Sequence, residues 1–129
     1  MLFRSVDTHV TLGKNRWHHI CFTWENTKGM WQLYKNGQLA GNGGMARRYK
    51  ILHGGPAVIG QDQYKVGGNF SKPDAFGPGE VTELNLWGSV LSASDIASQH
   101  ANCTLAPGLV HSWVQFKDGV NGAVRVEEP

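Results

Sequence analysis

No stretch of this sequence approaches the ~20 consecutive apolar residues of a membrane-spanning helix. The opening Met1–Asp7 is too short, and too soon charged, for an export signal. Charge of one sign is also missing. Twelve Lys and Arg against 10 Asp and Glu leave a net charge of +2, which calls for neither nucleic acid nor an anionic membrane. The only basic knot, Arg47-Arg48-Tyr49-Lys50, reads as a solvated loop. Two cysteines, Cys21 and Cys103, are too few to say anything by number. Catalytic spacings are absent too: there is no HExxH or CxxC for zinc, no GxSxG elbow and no G-x-G-x-x-G dinucleotide loop. His18 and His19 are strand neighbours that point to opposite faces, so they cannot chelate one ion together. A retaining glycosidase needs two carboxylates about 5–5.5 Å apart, and Glu80 and Glu83, three apart on a strand, face opposite ways.

What is present is glycine and tryptophan. Seventeen glycines, five prolines and five tryptophans in 129 residues, with 40% hydrophobic and 17% charged content, describe one β-rich domain with many turns. Arg16–Trp24 is the strongest strand signal, with Ile20, Phe22 and Trp24 on one face and Trp17, His19, Cys21 and Thr23 on the other. Large groups on both faces predict a central strand covered on both sides. Gly29 closes a short hairpin connection, Met30–Lys35 returns, and Asn36-Gly37 signals a type I′ turn, because both residues tolerate positive φ.

Further strands are predicted over Asp7–Leu12, Ala57–Gly60 (buried), Val81–Trp87, Leu109–Val114 and Ala123–Val126. Gln61–Gly79 is polar and aperiodic, hence a long loop, and loops of that length in a compact domain usually carry function. One short helix near 93–101 follows Ser92 or Ser94 as N-cap, with Asp95 early, where the helix dipole favours a carboxylate. Many strands, one helix and no βαβ pattern make an all-β antiparallel sandwich.

The order of motifs resembles the pentraxin family, a branch of the laminin-G and concanavalin-like jelly rolls. The matching pieces are Trp17–Trp24, Gly29–Gly37, Val58-Ile59-Gly60-Gln61-Asp62-Gln63, Gly67-Gly68-Asn69-Phe70, Phe76, Gly79–Trp87, Val90-Leu91-Ser92, Asp95-Ile96, Cys103, Pro107-Gly108 and Trp113. They cover nearly the whole chain, and His19-Ile20-Cys21 with Gly60–Gln63 favour pentraxin over a generic laminin-G module. The resemblance begins in mid-domain. It therefore implies a single partial domain over residues 1–129, incomplete at its N-terminus, in which the disulfide partner of Cys21 is absent from the chain. The family layout gives no reason to bring Cys21 and Cys103 together, so both thiols are expected free. It also assigns Trp17, Trp24, Trp87 and Trp113 to the core and leaves Trp31 open.

The resemblance implies a calcium site in the loop matching Gln61–Asp74. Family ligands there are an acidic–Gln–Asp triplet, a Glu just after Gly-Gly-x-Phe, and a Gln three residues later. Asp62 stands at the first acid and Gln63 at the residue that ligates through its carbonyl, but Tyr64 replaces Asp, Ser71 replaces Glu and Asp74 replaces Gln. Calcium takes six to eight oxygens and draws affinity from carboxylates. A loop reduced to Asp62, Gln63 and Asp74 predicts weak or lost calcium dependence. The implied function is a non-catalytic extracellular recognition module, secreted or displayed on an adhesion-type receptor, for a phosphorylated head group, a glycan or a protein. In that setting the sequons at Asn69 and Asn102 are glycosylation sites. The alternatives are a carbohydrate-active enzyme on the same fold, whose Asp or Glu pair would face a cleft, and a purely structural module that oligomerises through exposed strand edges.

Overall fold

The computed structural model describes residues 7–70, 73, 75, 77–120, 122 and 124–127. The chain divides into two compact units, residues 1–49 with 84–129, and residues 50–83.

The first unit is built on an antiparallel sheet of β1 (Ile20–Trp24), β2 (Met30–Lys35) and β3 (Gln38–Gly44), in that order. The β2–β3 turn is the predicted one: Asn36 and Gly37 have φ of 51° and 76°, and Lys35 pairs with Gln38. In the β1–β2 connection the Glu25 carboxylate accepts the backbone N–H groups of Thr27 and Lys28 at 3.1 and 2.8 Å. Desolvation is the largest single influence on Glu25 and pushes it up, but the bonds from Lys28, Met30 and Thr27 together outweigh it and hold the carboxyl below the ordinary carboxylate range.

The core lies on the β1 face carrying Cys21 and Thr23. Helix α1 (Ala93–Asn102) covers it, and Tyr34, Leu91 and the fully buried Ile96 form its centre, with Cys21, Trp87 and Ala106 packed against them. Ser92 is the N-cap of α1: its hydroxyl accepts the Asp95 N–H, and the Asp95 carboxylate accepts the Ser92 N–H. The helix ends at Cys103, which takes the left-handed conformation at φ 54° and donates its N–H to the Gln99 carbonyl. Strand β6 (Leu86–Trp87) pairs with β7 (Leu109–His111), and the short helix α2 (Trp113–Lys117) follows.

The second unit holds one hairpin, β4 (Gln63–Lys65) with β5 (Gly68–Phe70).

Several expectations need correction. Strand β1 begins at Ile20 rather than Arg16, and it pairs only with β2 among the described strands. Among the described strands it lies at the edge of the sheet, and Ile20 and Phe22 are exposed on a face whose β2 partners Leu33 and Trp31 are buried. Residues 7–12 form no strand; the segment lies instead beside Gly41, with Thr11 accepting the Lys35 ammonium at 2.8 Å. Ala57–Gly60 is irregular, with Ile59 exposed, and Val81–Asn85 lies outside any strand. Alternating or apolar runs make strands only where a neighbour supplies hydrogen bonds, and none pairs with these segments among the described residues. Gln61–Gly79 is not all loop, because the β4–β5 hairpin occupies part of it. Trp113 and Val114 lie on α2 rather than on a strand, and Val124–Val126 are irregular, while Ala123 lies outside the described residues.

The tryptophans also differ from expectation. Trp17 is 61% exposed, whereas Trp31 is 5% exposed. The reason is local geometry: β3 carries glycines at positions 41 and 43, and a Cβ on Gly43 would stand 2.9 Å from the Trp31 indole. The indole fills the space those missing side chains leave, and stacks on Phe22 with ring centroids 6.0 Å apart.

Candidate functional site

The residues matching the expected calcium loop sit on the β4–β5 hairpin. Asp62 is exposed immediately before β4, and Gln63, paired with Phe70, is half-buried at its start. The Gln63 side-chain oxygen accepts the Gly67 N–H at 2.8 Å. The residue therefore closes its own hairpin turn, where Gly67 has φ 69°, and the sequence held no signal for that use of the amide. Asp62 is the only carboxylate from Gln61 to Phe70, and Lys65 follows it three residues on. Ser71 and Asp74 lie outside the described residues. Among the described residues no group of three or more His, Cys, Asp or Glu could hold a metal ion.

Both sequon asparagines are exposed. Asn69 lies in β5 with φ 54°, and Asn102 is the last residue of α1.

The two thiols are free and differ in setting. Cys21 packs against the core, and burial pushes its thiol above the ordinary range, which keeps it neutral and unreactive. Cys103 is exposed at the helix end.

The adjacent histidines, both just ahead of β1, turn to different partners. His18 donates from Nε2 to the Gly13 carbonyl at 2.9 Å, while the His19 ring faces His100 of α1 with centroids 5.6 Å apart. No sequence spacing could have revealed that second pair. Burial and the neighbouring His100 hold His19 below the ordinary histidine value of 6.5. The unfolded chain thus takes up a proton before the folded one does, so this contribution to stability is complete above pH 6.5 and is lost as pH falls below it. The expected result is a lower urea midpoint at about pH 5 than at about pH 7.5, with His19→Gln narrowing the gap. Equal gaps for the two proteins would refute this role.

An open hollow beside α1 is lined by Asp95, Ser98, Thr104, Leu105, Ala106 and Pro107. Its single carboxylate, Asp95, is already engaged by Ser92 in the helix cap. The hollow does not supply the carboxylate pair that a glycosidase requires.

Comparison with known proteins places these features. Residues 2–128 match the Pentaxin family. The chain is 39% identical over 114 residues to the Sushi, von Willebrand factor type A, EGF and pentraxin domain-containing protein 1 of Rattus norvegicus, covering 86% of this chain and 3% of that protein. It is 42% identical over 109 residues to neuronal pentraxin-2 of Homo sapiens, covering 83% of this chain and 25% of that one. Its backbone superposes on the native heptameric SAP-like pentraxin of Limulus polyphemus with a TM-score of 0.73 at 29% identity, over 84% of this chain and 50% of that chain. The chain thus spans a small part to about half of these relatives. The family match runs over residues 2–128, and on that evidence the chain belongs to the pentaxin family.

Proposed function

We propose that this chain is a non-catalytic extracellular recognition module whose ligand binding depends weakly on calcium or not at all. Its ligand is of the classes the family resemblance implies: a phosphorylated head group, a glycan or a protein. The reading is carried by the donor set of the β4–β5 hairpin. Asp62 is the one carboxylate from Gln61 to Phe70, and a neutral phenol stands at Tyr64. Calcium draws its affinity from several carboxylates around six to eight oxygens, and the described residues do not make such a cage. If the ion binds, Asp62, the Gln63 carbonyl and Asp74 would hold it. An extracellular setting is supported by the kinship to pentraxins and by the exposure of Asn69 and Asn102, where glycans would attach. No described helix is long and apolar enough to cross a membrane.

Calcium titration by calorimetry tests the metal part, and the expected result is no binding heat up to about 1 mM calcium. Retention of the chain on phosphocholine-, phosphoethanolamine- and glycan-coated surfaces should change less than about twofold between calcium and EDTA. A tenfold or greater gain in calcium would overturn the proposal.

A further inference from the structure

We propose that the hollow beside α1 is the seat of the first N-acetylglucosamine of a glycan carried by Asn102. The inference rests on the extracellular reading above and adds where that sugar lies and what holds it. Attachment replaces one hydrogen of the Asn102 Nδ2 with the anomeric carbon of the sugar. A diphosphate-linked oligosaccharide is the donor, and its diphosphate leaves with the displaced proton.

Helix geometry brings the attachment point to the hollow. At ~100° per residue, positions i, i+3 and i+7 share a face, so Asp95, Ser98 and Asn102 form one row along α1. Asp95 and Ser98 line the hollow. Asn102 stands about 6 Å beyond Ser98 along the axis, at ~1.5 Å per residue, which is the reach of one pyranose ring. The opposite wall is the chain that leaves the helix. Cys103 takes the left-handed conformation, and Thr104–Pro107 then line the same space. The Trp87 indole N–H donates to the Ala106 carbonyl at 3.0 Å and pins that wall to the core. The hollow measures about 250 Å³, below the ~300–1,000 Å³ of pockets for drug-sized ligands. It therefore admits one sugar ring rather than an oligosaccharide.

The lining has the mixed chemistry of a sugar. Leu105, 43% exposed, and Pro107 offer apolar surface to the C–H face of a pyranose and to the acetamido methyl. Ser98 and Thr104 contribute hydroxyls. Both bonds from Ser92 to the Asp95 carboxylate use Oδ2, which leaves Oδ1 to accept a sugar hydroxyl. The sequon fixes the occupant. Asn102-Cys103-Thr104 carries its acceptor at the edge of the hollow and its threonine in the wall. Tethering makes the contact intramolecular, so it forms even where a free sugar would bind too weakly to be seen.

The test uses the full chain, isotopically labelled, with Asn69→Gln so that Asn102 is the sole sequon. It is secreted from cells held at the high-mannose stage and trimmed by an endoglycosidase to a single N-acetylglucosamine. Peptide mass spectrometry should find that sugar on Asn102. Nuclear Overhauser contacts should join its acetamido methyl to the Leu105 methyls. The amides of Leu105 and Ala106 should exchange about fivefold more slowly than in the same chain made without sugar in bacteria. Ser98→Phe fills the hollow and should remove both effects while leaving Asn102 occupied. Should that variant unfold, the comparison of the sugar-bearing and sugar-free chains decides by itself. An unmodified Asn102 would overturn both this proposal and the glycosylation reading on which it rests. A sugar on Asn102 that makes no contact with Leu105 and leaves exchange unchanged would overturn the seat alone.

Discussion

Replacing Ile96 by alanine should cost about 3 kcal/mol of unfolding free energy, within the 2–5 kcal/mol typical of such core truncations. Ile96 is 0% exposed and is the only large side chain among the described residues buried to that degree. It joins α1 to the sheet through Tyr34 and to the segment leading into the helix through Leu91. The helix has 10 residues, below the ~12–15 that an isolated helix needs to persist in water. Its capping box contributes about 1 kcal/mol, so docking through Ile96 decides whether the helix forms. The core is small, with few neighbours able to relax into the lost volume, and this keeps the cost above the lower end of the range. Urea unfolding followed by circular dichroism measures the loss. Ile51→Ala, at a position 86% exposed, is the control and should shift stability by no more than about 0.5 kcal/mol. Similar values for the two variants would remove Ile96 from the centre of the fold.

Gly29→Ala should be nearly as damaging, at roughly 3 kcal/mol, for a different reason. Gly29 has φ +72°, and a Cβ there would stand 2.6 Å from the Met45 carbonyl oxygen and 2.8 Å from the Arg47 nitrogen. The left-handed conformation alone costs an alanine about 1–2 kcal/mol. The remainder comes from backbone that must move, because Met45 is held in place by donating its N–H to the Gly29 carbonyl at 2.7 Å. Gly108 separates the two contributions. It has φ +91° with nothing within 4 Å of the added carbon, so Gly108→Ala should cost only the conformational part, about 1–2 kcal/mol. Equal losses at positions 29 and 108 would show that crowding beneath the Met45–Arg47 segment is unimportant.

These two sites were unequally legible. Gly29 is recognisable as a turn from its place between two strand-like runs, but the crowding around it comes from the exit of β3, sixteen residues later in the chain. Ile96 falls on a helix that the Ser92 cap and Asp95 announce. Its rank above every other apolar side chain depends on what lies across from it. The candidate site shows the same division. The order of motifs leads to the family and to Asp62 and Gln63, yet the hydrogen bond that commits Gln63 to Gly67 requires the hairpin itself.

Local chemistry therefore determined the Asn36-Gly37 turn, the capped helix after Ser92 and the family to which the chain belongs, because each depends on residues only a few positions apart or on their order. Tertiary structure alone decided which tryptophan is buried, that Trp113 enters a helix, that His19 meets His100, and that β1 pairs with β2 alone among the described strands. Alternation places a side chain on one of two faces, but whether that face is covered depends on a neighbour elsewhere in the sequence. Trp31 is buried because two glycines on β3 leave it room, while Phe22, stacked on that indole, remains 49% exposed.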